Sequence, residues 1–205
     1  MPKVVDHQQR RRELAGAVWR VIVRDGVAEV SIRAVAAESG WSTGALRHYF
    51  ATRAELLAFA CEEVIAQVTA RLTAMPAPSD MREAVGAVLL ETMPVDERRR
   101  TESEIAFAFL ALGLQDPALA RVQRLHFGSM FELCLRLVSQ LAPARPATDD
   151  AAREADDEAA RRAARHLHAL VDGLTVHVLA GHLTPAQMIA DLDAHLDALA
   201  APQPR

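Results

Sequence analysis

Residues 40–50 read GWSTGALRHYF, in a chain where only 4 % of residues are aromatic. Their side chains suit hydrogen bonding to a polyanion better than bond-making chemistry. Thr43 can bond a base or set its methyl group against a thymine. Arg47 can donate two bonds to guanine O6 and N7, and His48 and Tyr49 can reach phosphates or bases. Gly44 and Ala45 are small enough to let a backbone come close to a duplex. Arg33, on the preceding segment, is placed to meet a base edge or a phosphate. Arg53 adds positive charge where the free amides of a helix start would also favour a phosphate.

Other chemistries find less support. Cys61 and Cys134 fit no metal or redox spacing. His166 and His168 would point about 200° apart around a helix, which does not suit a shared metal, and His177-x₄-His182 is the only other metal-like spacing. None of the fourteen glutamates has a histidine three residues later, as a helical di-iron centre requires. No Gly-rich phosphate loop and no Ser or Cys nucleophile motif is present. The expectation is a non-enzyme with no metal and no cofactor.

The elements that must position residues 40–50 are legible from punctuation and periodicity. The 205 residues are 51 % hydrophobic and dominated by Ala, Leu, Arg and Glu, which predicts an all-α protein. A first helix over about 8–25 places Leu14, Ala17, Val18, Val21 and Ile22 on one face and ends near Gly26. Ser31 caps a second, short helix that closes at Gly40, and Ser42 or Thr43 caps a third. Thr52-Arg53-Ala54-Glu55 is a capping box opening a fourth helix that runs to about Thr73, before Pro76 and Pro78. Further helices are predicted at about 80–92, 97–114 and 117–141. A Pro-rich loop, APARPATDD (142–150), precedes a long helix over about 150–180. A last helix starts at the Thr184-Pro185-Ala186-Gln187 capping box, giving about nine in all.

Helices two and three are too short to be stable alone and need helices one and four around them. A brief glycine-containing connection between them suits a helix-turn-helix over about 31–50, which presents the N-terminal end of its second helix to a major groove. Charge agrees: residues 1–57 carry nine Lys/Arg against six Asp/Glu, whereas the remainder carries 14 against 21. The run Arg10-Arg11-Arg12 is either a phosphate or minor-groove contact or a solvated helix start.

The stretch SIRAVAAESGWSTGALRHYFATRAELL resembles the DNA-binding signature of the TetR/AcrR family of transcriptional regulators, over about residues 8–57. Near the C-terminus, LVDGLTVHVLAGHLTPAQMIADLDAHL resembles, more loosely, the C-terminal domain of the BetI subgroup. The resemblance implies a three-helix DNA-binding head (1–57) joined through helix four to a larger helical ligand-binding and dimerisation domain (58–205). It implies base contacts from Arg33, Thr43, Gly44 and Arg47, and phosphate contacts chiefly from Ala45, His48, Tyr49 and Arg53, beside the cap Ser42. Trp41 departs from the pattern, standing where the family usually has a smaller apolar residue such as Val; it either packs in the core under helix one, its expected role, or overfills the turn or spreads over the groove edge.

For the body the resemblance implies a homodimer made by the last two helices of each subunit. Leu167, Leu170, Val171, Leu174 and Val178, with Ile189, Leu192 and Leu196, form the apolar stripes expected to meet across it. Gly173 and Gly181 would allow close crossing. Two heads would then sit about 34–36 Å apart on a pseudo-palindromic operator. Such proteins also hold an effector pocket, for which Met93, Phe107, Leu110, His126, Phe127, Met130 and His177 are the candidates, with a small, largely apolar effector. The reading is a ligand-released repressor of DNA. The rival is a helical small-molecule-binding protein or scaffold whose head does not read DNA specifically. No stretch of 18 apolar residues and no signal-peptide core occurs, so a cytoplasmic location is expected.

Overall fold

In the computed structural model, residues 7–76, 80–114, 117–141 and 149–201 are described. The loop at 142–148 and the tail beyond Ala201 lie outside the described residues. Among those described there are nine α-helices and no strand. They are α1 (His7–Asp25), α2 (Ile32–Ser39), α3 (Thr43–Tyr49), α4 (Arg53–Ala74), α5 (Met81–Leu90), α6 (Glu97–Gly113), α7 (Pro117–Leu141), α8 (Asp150–Leu179) and α9 (Pro185–Ala200). The chain divides into two compact units, residues 1–70 with 104–123 and residues 71–103 with 124–205.

In the first unit the predicted face of α1 is the core. Leu14, Ala17, Val18, Val21 and Ile22 are buried with Val30, Val35, Leu46, Leu56, Leu57 and Phe109. Gly26, at φ 86°, takes the chain from α1 into a single 3₁₀ turn, Val27–Glu29, a conformation that favours glycine. α3 buries only Leu46. One buried leucine contributes about 2 kcal/mol, against roughly 1 kcal/mol per residue for ordering seven backbones. Its neighbours therefore hold α3 in place. Ion pairs from Arg20 (2.6 Å) and Arg24 (2.7 Å) of α1 to Glu38 tie α1 to α2. Both arginines are mostly exposed, so the pairs orient more than they stabilise.

The second unit is built around Val85, Leu89, Met93, Cys134, Leu137, Val138 and the inward faces of α8 and α9. Leu167, Val171, Leu174, Val178, Leu192 and Leu196, expected to meet a second protomer, are buried inside this unit, and Leu170 and Ile189 pack partly buried against the same core. Each helix needs its apolar stripe first for its own protomer, where α8 meets α9 and α9 meets α5. Those stripes are accordingly intramolecular. Among the residues left exposed are Ala169, Gly173, Val176 and Ala180 on α8 and Ala190, Ala194 and Ala198 on α9, flanked by charged side chains such as Arg165 and Asp191. Gly181, at φ 72°, serves the α8–α9 turn.

A buried polar cluster braces the same unit. Glu102, almost fully buried, accepts from Arg71 Nη1 (2.8 Å) and Nη2 (2.6 Å) and from Arg98 Nε (3.2 Å). Glu91 accepts from Arg71 (2.6 Å) and from Arg99. Arg100 donates to the carbonyls of Val178 (3.3 Å) and Leu179 (3.0 Å), which α8 itself leaves without helical partners.

Candidate nucleic-acid interface

The turn between α2 and α3 is assembled from capping chemistry. Ser31 Oγ accepts from the Ala34 amide at 3.1 Å and opens α2. Gly40 closes it at φ 73°, ψ 9°, in the left-handed region. Ser42 Oγ accepts from the Ala45 amide at 3.1 Å, so Ser42 rather than Thr43 is the cap of α3. The box at α4 is a variant of the expected form. Thr52 Oγ1 accepts from the Glu55 amide (3.1 Å), while the Glu55 carboxylate accepts from Ala51 rather than from the cap residue.

With Leu46 seated in the core, α3 has one way to face. Ser42, Thr43, Gly44, Ala45, Arg47, His48 and Tyr49 are all exposed, and so is Arg33 on α2. Residues 43, 44, 47 and 48 share one side of a helix by periodicity. Gly44 has ordinary helical backbone, and a Cβ added to it would meet nothing nearer than Ser42 Oγ at 4.0 Å. Nothing inside the protein requires glycine there.

Arg53 is placed differently from the phosphate role expected of it. Its Nε donates to Val30 O (2.9 Å) and its Nη2 to Val27 O (3.0 Å) and Ala28 O (3.4 Å). These carbonyls of the 3₁₀ turn and its exit draw the guanidinium inward, so it fastens α4 to the segment before α2.

Trp41 is half-buried and packs against the head core, as expected of it, but its ring has further partners. The Arg10 guanidinium carbon lies 5.6 Å from the ring centroid. Tyr49 meets it edge-on at 5.6 Å, with planes at 69°, and His48 meets Tyr49 at 6.1 Å and 89°. The side chains of Arg11 and Arg12 lie outside the described residues. Nothing in the sequence announces the Arg10–Trp41 contact, because 31 positions separate the two.

The effector candidates fall in both units. Phe107 and Leu110 are half-buried in the first. In the second, Met93 is fully buried, Met130 half-buried, and His177 exposed against His182, with ring centroids 5.1 Å apart. His126 and Phe127 do come together (6.1 Å), and they bring in His168, 5.5 Å from Phe127, and through it Asp172. His168 Nε2 stands 3.5 Å from Asp172 Oδ2. Burial lowers the His126 pKa, with the nearby His168 charge adding to it, and burial raises the Asp172 carboxyl against the pull of His168. From sequence His168 figures only in a metal-like spacing, and Asp172 is not singled out. Among the described residues no three His, Cys, Asp or Glu side chains are grouped to hold a metal ion, and no helix is long and apolar enough to cross a membrane.

Comparison with known proteins identifies the family. The family described as "Bacterial regulatory proteins, tetR family" matches residues 15–59, and "BetI-type transcriptional repressor, C-terminal" matches residues 81–201. The HTH-type transcriptional regulator PksA of Bacillus subtilis is 38 % identical over 181 residues, covering 87 % of this chain and 83 % of that protein. A crystal structure of a transcriptional regulator from a Rhodococcus species superposes with a TM-score of 0.76 at 25 % identity, covering 92 % of this chain and 95 % of the other. A regulator from Saccharomonospora viridis in complex with choline gives 0.71 at 20 % identity, with 93 % and 96 % covered; at that identity the likeness is one of fold. The chain belongs to the TetR family of DNA-binding transcriptional regulators and carries a BetI-type C-terminal domain.

Proposed function

We propose that the protein is a ligand-released repressor that binds a pseudo-palindromic operator as a homodimer. The observation that carries the reading is α3, which exposes every side chain but that of Leu46, the one residue it seats in the core of the head. Arg47 and Thr43 read base edges, with Arg33 beside them. Gly44 and Ala45 let the duplex approach, and Ser42, His48 and Tyr49 meet phosphates. Arg53 supports this surface from behind through the carbonyls of residues 27, 28 and 30.

Dimerisation uses the exposed small residues of α8 and α9, where Ala169, Gly173, Val176 and Ala180 recur at helical spacing and permit close crossing. The effector is a small, largely apolar molecule with one polar group, recognised in the second unit by Phe127, His126, His168 and Asp172.

The test is a gel shift of the purified protein on its own upstream intergenic DNA, at two salt concentrations with competitor. A sequence-selective complex should weaken with a log–log salt slope of about −0.9 per neutralised phosphate. If neither that DNA nor a genome-wide selection yields a selective, salt-sensitive complex, the head does not read DNA and the repressor reading fails.

A further inference from the structure

A side chain that only filled the head core would resemble Leu46, which is fully buried. Trp41 does not. It stands just after the left-handed Gly40, half in the core and half in solvent. Two side chains from different helices pack on its ring, Arg10 from the first turn of α1 and Tyr49 from the last turn of α3. Tyr49 is 43 % exposed, a large surface for an aromatic residue, and His48 stacks edge-on against it. Ring edges and cations favour an aromatic face electrostatically, so both contacts carry direction as well as area.

We propose that Trp41 is a positioning residue for DNA recognition. Its indole holds Arg10 and Tyr49 in one ladder at the rim of the reading surface. A flexible arginine and an exposed tyrosine must lose side-chain freedom to meet a phosphate, and here part of that freedom is lost on folding instead of on binding. The ladder also joins the start of α1 to the end of α3, so the two make contact with one duplex as a unit. A valine at position 41 could fill the core but could hold neither partner. The inference rests on the reading of the head as a DNA-binding surface.

The experiment is a double-mutant cycle on the full-length protein, using a duplex that the wild-type chain selects from fragmented genomic DNA. Trp41→Val should weaken binding about tenfold and Trp41→Phe about threefold or less, on the scale of one cation–π and one aromatic pair. Arg10→Ala should weaken wild-type binding about fivefold and reduce the salt slope by about 0.9. In the Trp41→Val background it should change neither. A purely structural Trp41 would lower thermal stability while leaving the Arg10→Ala effect and the salt slope as they are, and that outcome overturns the proposal. Should Trp41→Val fail to fold, Arg10→Ala and Tyr49→Ala form the cycle. Coupling of threefold or more between these two surface changes supports a shared ladder, and losses that simply multiply refute it. A wild-type chain that selects no duplex removes the DNA reading and the ladder's role together, whereas selection without coupling removes only the latter.

Discussion

Gly44→Ala separates what the protein needs from what its ligand needs. Inside the protein the substitution is favourable. Gly44 is the second residue of α3 with helical backbone, and the added methyl carbon would find only Ser42 Oγ, at 4.0 Å, an ordinary contact. Alanine is preferred over glycine by about 1 kcal/mol in a helix interior, and by roughly half that so near the N-terminus. For a chain of this size the gain raises Tm by about 1–2 °C. On the outside the same methyl group stands where the duplex backbone is proposed to approach. Overpacking a close contact by one methyl costs about 1–3 kcal/mol, which is about a 5-fold to 150-fold loss of affinity.

Two assays on one variant read the two effects with opposite signs. Thermal unfolding followed by circular dichroism should show a small stabilisation, and fluorescence anisotropy with the selected duplex should show weaker binding. Stabilisation with unchanged affinity would refute close approach at Gly44 and move the interface away from the start of α3. A fall in Tm would instead refute the inference that the space around this glycine is open.

Arg47→Ala should cost about 1–3 kcal/mol of operator binding and relax selectivity at one base pair, measured by competition with single-base operator variants; an equal loss on every duplex reassigns Arg47 to a phosphate. Glu102→Ala removes the bidentate partner of Arg71, which keeps Glu91, and should destabilise the protein by about 1–3 kcal/mol, seen as a lower urea midpoint. Burial pushes the Glu91 carboxyl up, but the hydrogen bonds and charges of Arg71 and Arg99 outweigh this and hold it below its ordinary range. Its contribution is therefore complete above the ordinary glutamate pKa of about 4.3 and is lost as pH falls through the lower folded value. Replacing Glu91 by Gln should remove that part of the acid dependence in urea midpoints taken between about pH 5 and 2. Val176→Glu puts a charge on the exposed face of α8, and should shift sedimentation from dimer to monomer while leaving the monomer's helical signal intact.

What could be read from sequence was local. Ser31, Ser42, Thr52 with Glu55, and Thr184 with Gln187 mark helix starts because capping acts over three residues, and all four cap in the structure. Gly26 and Gly40 mark ends for the same reason of range. The stripe on α8 was equally legible as a stripe, but periodicity says only that a face is buried. It does not distinguish a face buried against α9 of the same chain from one buried against another copy. The ion pairs of Arg71 with Glu91 and Glu102 span 20 and 31 residues, and no pattern in the intervening sequence marks them. His168 and Asp172 are a turn apart on α8, so their pairing was within reach of sequence. The meeting of His168 with Phe127 of α7 was not.

The basic head shows why charge alone is a poor guide to a nucleic-acid footprint. Long-range attraction to DNA depends on net charge, and the excess of cations over residues 1–57 supplies it wherever those cations point. Readout depends on donors still free to turn outward, and folding uses many of them first. Arg20 and Arg24 are engaged with Glu38 and Arg53 with three backbone carbonyls, whereas Arg10 rests its guanidinium on an indole and keeps its donors. Arg33 and Arg47 stand exposed, one on each helix of the turn. A basic side chain that supports the head from within should, when removed, lower stability and affinity together. One that faces the duplex should lower affinity alone. Arg53 and Arg47, six residues apart in sequence, belong on opposite sides of that division.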